Sequence, residues 1–157
     1  MRRADREIKD PIKIKEILDK AKILHLGLFD NGYPYIVPLH YGYQYSGDEL
    51  RFFMHCAKEG HKLDLLRADA CVCVELESSV ELVPGGDTAC NYGSTYASVI
   101  GRGRAEIVED AGEKALGLRL LMKNQTGRDF KFPADTLSNV AVIKVTVEEF
   151  TAKGRLD

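Results

Sequence analysis

Residues 52–66 read Phe-Phe-Met-His-Cys-Ala-Lys-Glu-Gly-His-Lys-Leu-Asp-Leu-Leu, and the stretch changes its period part-way along. Phe52, Met54 and Cys56 alternate with Phe53, His55 and Ala57, the two-residue period of a strand. Lys58, Glu59 and Gly60 break that alternation, and Leu63, Leu65 and Leu66 follow at helical spacing. A strand that turns into a helix leaves backbone N–H groups unpaired at the helix start. Those groups and the helix dipole favour an anion. Lys58, His61 and Lys62 add positive charge at the same turn, and Gly60 permits close backbone approach. The elbow is therefore a candidate phosphate site. The competing reading is a solvated helix end that happens to carry two lysines and a histidine.

Outward from this elbow, the 157 residues are read as one domain, 1–157, long enough for a real hydrophobic core. A hydrophobic fraction of 45% and a charged fraction of 29% are ordinary for a globular chain. A net charge of −2 argues against bulk attraction to nucleic acid or to an anionic membrane. No apolar run is long enough to span a bilayer. The start, Met-Arg-Arg-Ala-Asp-Arg-Glu, lacks the apolar centre of a secretion signal, so a cytoplasmic chain with reduced thiols is expected. Cys71 and Cys73 share one face of a strand-like run. Zinc-site spacings that would join them to His55 or His61 are absent, so they are read as small buried side chains and no metal is expected.

Residues 1–9 are charged and read as loosely packed. Asp10-Pro11 predicts a helix start, with Ile12, Ile14, Ile17, Leu18 and Ala21 as its apolar stripe. Ile23–Phe29 reads as a strand, Asp30-Asn31-Gly32 as a turn, and Tyr35–Tyr45 as a strand interrupted by Pro38. Proline cannot donate to a ladder, so Pro38 marks a bulge, an edge, or a place where a ligand replaces a strand partner. Ser46-Gly47-Asp48 turns the chain into the strand that begins at Leu50. Ala70–Leu82 and Tyr92–Val108 read as long strands about a Pro84-Gly85-Gly86 loop, with Gly101 and Gly103 predicting sharp bending. Gly112–Gln125 reads as helix, Thr126–Ser138 as loop and Val140–Phe150 as the last strand. About six strands with short helices and hairpin turns predict a mainly β fold, a closed or nearly closed antiparallel barrel.

Three segments carry a resemblance: Pro34-Tyr-Ile-Val-Pro-Leu-His-Tyr41, Phe53-Met-His-Cys-Ala-Lys-Glu-Gly-His-Lys62 and Tyr96-Ala-Ser-Val-Ile-Gly-Arg-Gly103. In this order and spacing the chain, from about Arg3 to Gly154, resembles the FMN-binding split-barrel proteins related to pyridoxamine 5′-phosphate oxidase. The nearest branch is the one that includes the 5-nitroimidazole resistance (Nim) proteins. The resemblance implies a six-stranded antiparallel split barrel in a homodimer, with FMN at the subunit interface and a small-molecule substrate. It implies that Val37, Pro38, Leu39, His40 and Tyr41 run beside the isoalloxazine ring. Met54, His55, Cys56 and Ala57 would follow the ribityl chain and ring, and Lys58, Gly60, His61 and Lys62 would surround the phosphate. Tyr96, Ser98 and Val99 would line the site from a neighbouring strand or from the other subunit. In the Nim branch the position of His55 is linked to redox chemistry near the flavin, so the resemblance makes His55 the candidate catalytic residue, suited to supply a proton to a reduced substrate.

The tail, Thr-Ala-Lys-Gly-Arg-Leu-Asp157, lacks the arginine- and histidine-bearing substrate motif of the true vitamin B6 oxidases. The chain has no Trp, and Tyr92 stands where relatives carry an aromatic, often Trp. His25 is read as a packing residue, and His40 as either a ring contact or packing. Arg102 and Arg104 are read as surface partners of Glu106 or Glu109, with binding of an anionic substrate as the alternative. Tyr33, Tyr35, Tyr41, Tyr43, Tyr45, Tyr92 and Tyr96 gather around the expected cleft, suited to stacking, interface or core roles. No catalytic triad is needed, because flavin chemistry belongs to the cofactor. The leading expectation is an FMN-dependent oxidoreductase acting on a small molecule, with a nitroaromatic among the candidates. A non-catalytic flavin store or redox sensor and a haem-binding split barrel are the alternatives, and FMN against a deazaflavin is left open.

Overall fold

The first helix begins where local chemistry places it. The Asp10 carboxylate accepts a hydrogen bond from the Ile12 N–H at 2.9 Å, and Pro11 opens α1 (Pro11–Lys20). The structure, a computed structural model, describes residues 3–155. Ile14, Ile17 and Leu18 of α1 are buried, but Ile12, expected on the same stripe, is 70% exposed. At about 100° per residue, position 12 stands on the side of the helix opposite position 14.

The strands are β1 (Glu7–Ile8), β2 (Ile23–Asp30), β3 (Tyr33–Ser46), β4 (Glu49–Cys56), β5 (Cys71–Val83), β6 (Gly93–Ile107) and β7 (Ala141–Arg155). The order β7-β4-β3-β2-β5-β6 closes back onto β7, and every pairing is antiparallel. This is the six-stranded barrel that the sequence predicts. The seventh strand, β1, lies outside the ring and pairs Glu7 and Ile8 with Lys153 and Ala152. It falls in a stretch read as loosely packed, and β7 runs past the expected end at Phe150 to meet it. The remaining helices are α2 (His61–Ala68), α3 (Ala111–Thr126) and α4 (Ala134–Ser138). Helix α4 replaces part of the loop expected over 126–138.

β3 changes partner half-way. Tyr33–His40 pair with β2, and Tyr41–Ser46 pair with β4. Beyond Tyr41↔Met54, β3 and β4 part. The β2–β3 register runs unbroken through Pro38, so this proline marks no bulge and sits where β3 is paired on one edge only. The bend predicted at the glycines is real: the β6–β7 register shifts between Arg102 and Gly103.

The barrel interior is filled by alternate residues such as Leu24, Leu26, Phe52, Met54, Val74 and Ile143, with α1 packed against it through Leu18. The buried Tyr41 hydroxyl lies 2.7 Å from the Leu18 carbonyl and 3.1 Å from that of Ala21, so it serves the carbonyls that α1 leaves unpaired. On the outer face Phe53, Val142 and Val108 pack under Leu118 of α3. Gly42 makes that packing possible, because a Cβ there would overlap the backbone of Leu120 and Leu121.

Two expectations about the outer face change. Cys71 and Cys73 are exposed, because Val72, Val74 and Leu76 take the inward positions of β5. Arg102 pairs with Glu149 at 3.5 Å and Arg104 donates to the Cys71 sulfur at 3.6 Å, while Glu106 pairs with Lys144 at 2.6 Å. Cross-strand neighbours, not neighbours in sequence, set these pairs.

Two substitutions test this packing in thermal or denaturant unfolding. Gly42→Ala pushes α3 off the sheet and is expected to cost at least about 1–3 kcal/mol. Tyr41→Phe keeps the ring but strands two buried carbonyls, an expected loss of about 1–3 kcal/mol. Wild-type stability in either variant refutes the corresponding contact.

Candidate functional site

β4 ends at Cys56, and the chain reaches α2 through Ala57, Lys58, Glu59 and Gly60, all exposed. Gly60 is the N-cap, at φ 137° and ψ 160°, a conformation that L side chains rarely adopt. Its carbonyl accepts from the Leu63 and Asp64 N–H groups at 2.9 and 3.3 Å. No side chain caps α2, so the first N–H groups of the helix meet no side-chain acceptor. Burial pushes the Cys56 thiol up, and Lys62 partly offsets this, which places the half-buried Lys62 ammonium close to the end of β4. His55 and Lys58 are exposed beside it. The arrangement can hold an anion with backbone donors on one side and an ammonium on the other.

The His61 ring is engaged elsewhere. Its Nε2 lies 2.6 Å from Asp30 Oδ2, and it stands edge-on to the Tyr35 ring with centroids 5.1 Å apart. These contacts tie the start of α2 to the β2–β3 hairpin. They set the elbow beside the stretch of β3 that lacks a partner on its β4 side. Nothing in the sequence links His61 to Asp30, which reads only as a turn residue.

The period of β3 sorts the residues expected to flank a ring. Val37 and Leu39 point inward against the core, while Pro38 and His40 are exposed. His40 Nδ1 lies 3.2 Å from the Lys22 carbonyl. Tyr41, Met54 and Val99 are sealed in the barrel interior at 0–1% exposure. Their side chains cannot touch a ligand; alternation leaves them only backbone groups to offer. The Tyr41 carbonyl already accepts from Asn124 Nδ2 and Gln125 Nε2, each at 3.1 Å.

Tyr96, Ser98 and Val99 do not join the elbow within one chain. Cys56 faces Ala141 at one end of β7, and Tyr96 faces Arg155 at the other. That separation is on the order of 40 Å of extended strand. Ser98 is buried, and the Tyr96 hydroxyl accepts from Arg6 at 3.2 Å, a bond that holds the phenol below its usual range.

Three further features lie apart from the elbow. A cleft of about 620 Å³ between α1 and α3 is lined by Lys15, Asp19, Tyr43, Tyr45 and Lys123 among others. Tyr43 donates there to Asp19 at 2.6 Å, and burial followed by that carboxylate pushes its phenol up. Phe29, Tyr33 and Ile36 of the β2–β3 hairpin and, towards the other end of the β2–β5 ladder, Val80 and Leu82 of β5 are all more than 60% exposed. His25, read as a packing residue, lies half-exposed against Glu75 and Glu77. Among the described residues, no helix is long and apolar enough to cross a membrane.

A family model described as pyridoxamine 5′-phosphate oxidase matches residues 10–154. A search of curated proteins finds no match. Among solved structures, a candidate 5-nitroimidazole antibiotic resistance protein from Bacteroides thetaiotaomicron VPI-5482 superposes with a TM-score of 0.79. Its identity to this chain is 31%, with 94% of this chain and 86% of that chain covered. The flavocytochrome Anf3 from Azotobacter vinelandii gives a TM-score of 0.76 at 26% identity, covering 99% of this chain and 72% of its own. An FAD and haem binding protein from Mycobacterium smegmatis shares the fold with a TM-score of 0.78 at 17% identity, covering 97% and 74%. On the match over nearly its whole length, together with the split barrel just described, the chain belongs to the pyridoxamine 5′-phosphate oxidase family.

Proposed function

We propose that the β4–α2 elbow and the open edge of β3 hold FMN, and that the protein is a flavin-dependent oxidoreductase acting on a small molecule. One observation carries this reading. An uncapped helix start, with Gly60 and Lys62, is fixed by the His61–Asp30 contact beside a strand edge that has no partner. The elbow fits the phosphate end of FMN: backbone N–H groups and an ammonium meet a group close to a dianion at neutral pH. The strand edge fits the other end, because an unpaired β edge presents N–H and C=O groups in one row to the polar rim of a flat ring. Pro38 removes one donor from strand β3. His61 serves through position, since its ring is held by Asp30.

When bound, FMN supplies the electron transfer. The protein's own groups orient it and move protons. His55, exposed at the end of β4, is the residue proposed to deliver a proton to the acceptor. In a single chain the elbow is open to solvent. The exposed apolar side chains of the β2–β3 hairpin, Phe29, Tyr33 and Ile36, suit a second copy as the missing wall. Tyr96 and Ser98, remote from the elbow in one chain, are the residues such a copy would bring to it. The likeness at 31% identity to a candidate nitroimidazole resistance protein supports a nitroaromatic acceptor. A haem-binding reading draws on the likeness to a flavocytochrome at 26% identity, and a Soret band on haem addition distinguishes it.

Freshly purified protein, once denatured, is expected to release a chromophore with the mass of FMN. Lys62→Ala is expected to weaken FMN binding about 10- to 100-fold, the equivalent of one charge-assisted hydrogen bond of about 1.5–3 kcal/mol. Unchanged affinity, measured by flavin fluorescence, removes Lys62 from the site. Pre-reduced holoprotein mixed anaerobically with a nitroaromatic should reoxidise rapidly, and His55→Gln should slow this by about 10². Slow reoxidation in both proteins favours a store or sensor over an enzyme.

A further inference from the structure

We infer that His25, Glu75 and Glu77 form a binding site for one divalent first-row transition metal ion with zinc-like preferences. The three side chains stand on the outer face of the barrel, where β2 meets β5. His25 and Glu75 face each other across the two strands, and Glu77 is the next residue of β5 on the same face. His25 Nδ1 lies 3.1 Å from Glu75 Oε2 and 3.7 Å from Glu77 Oε2. One donor atom from each residue falls within 4.8 Å of the other two. Metal–ligand bonds of about 2.0–2.2 Å place the donors of one ion roughly 3–3.6 Å apart, so the observed spacing needs little side-chain movement. Among the described residues this is the only such group of three.

Backbone and charge both favour a cation here. The β2–β5 ladder stops at His25↔Glu75, so Glu77 lies just beyond the paired stretch, where the two strands separate. Gly27, next on the same face of β2, presents no side chain to the site. Two carboxylates against one imidazole leave the cluster anionic even when His25 is protonated. On the neighbouring strands β6 and β7, Arg102 pairs with Glu149 at 3.5 Å, and Lys153 lies over the Tyr96 ring at 5.8 Å. Burial and the Glu77 carboxylate push Glu75 above its ordinary value, with His25 acting the other way. A divalent ion balances the two carboxylates and uses the neutral imidazole as a third donor. One nitrogen and two oxygens fit zinc, and also manganese or iron, better than a soft, thiolate-seeking ion. None of the three residues is assigned to the flavin site, although His25 faces Pro38 and Glu77 faces Ser98 across their ladders, so the metal titration stands apart from any flavin readout.

The test is isothermal titration of the full chain with Zn²⁺ at pH 7, repeated in buffers of different ionisation enthalpy. One equivalent should bind with release of protons, because the ligands must be deprotonated. His25→Ala, and separately Glu75→Gln, should each weaken binding at least about tenfold. Glu81→Gln, further along β5, should leave it unchanged. All three positions are on the surface, and thermal unfolding checks that each variant is folded. Absence of saturable binding up to about millimolar Zn²⁺, a concentration corresponding to only about 4 kcal/mol, overturns the proposal. Binding that survives both His25→Ala and Glu75→Gln at wild-type affinity overturns it equally.

Discussion

The change of partner along β3 is the constraint on which the rest of the architecture depends. A strand has two edges, and each must find hydrogen bonds or water. β3 spends one edge on β2 over Tyr33–His40 and the other on β4 over Tyr41–Ser46. The barrel closes because β6 and β7 complete the ring, yet β3 and β4 are free to diverge after Tyr41↔Met54. The divergence produces both halves of the candidate site at once: an unpaired strand edge, and a strand end that turns into α2. A fully paired β3–β4 ladder would have removed the edge and carried Ala57–Gly60 into the sheet.

That divergence must be held, or the edge would be a template for aggregation. Two devices hold it from opposite sides. At one end Tyr41 is locked into the core, its hydroxyl on α1 and its carbonyl on Asn124 and Gln125 of α3. At the other, His61 ties α2 to Asp30 at the tip of the β2–β3 hairpin. Neither device is a large apolar contact. Both are short polar contacts at the ends of elements that hydrophobic packing has already placed, where a hydrogen bond contributes more to position than to stability.

Features with a local cause were legible in the sequence. The Asp10 cap, the Asn31-Gly32 turn with both residues at positive φ, the Gly103 irregularity and the six ring strands all follow from patterns within a few residues. The elbow was legible for the same reason, since a change of period and a glycine are local events. What escaped were consequences of pairing between distant strands. Whether Cys71 and Cys73 face in or out depends on which alternate set of β5 meets the core, and a run of Cys and Val gives no contrast to decide it. His25 and Glu75 are fifty residues apart and become neighbours only through the β2–β5 register. Helix α4 and the two residues of β1 are too short for any periodicity to announce them. Tyr96 and Ser98 belong to a segment that resembles a flavin site, but their place on β6 sets them far from the elbow of their own chain.

The elbow poses an electrostatic question that pairing alone does not answer. Lys58 and Lys62 are positive, but Glu59 is adjacent and Asp30 lies within reach of His61, so formal charge around the turn is close to balanced. An anion is therefore not drawn in by net charge, in keeping with a chain whose total is −2. What favours it is direction. The uncapped N–H groups of α2 share the direction of the helix axis, and the His61 contact occupies the Asp30 carboxylate. Oriented dipoles act over the first turn only and are weakened by water. In an open single chain that field is screened; covered by a second wall, the same donors act in a lower dielectric and each is worth more. The strength of the site is thus set less by which charges the elbow carries than by how completely it is shut off from solvent.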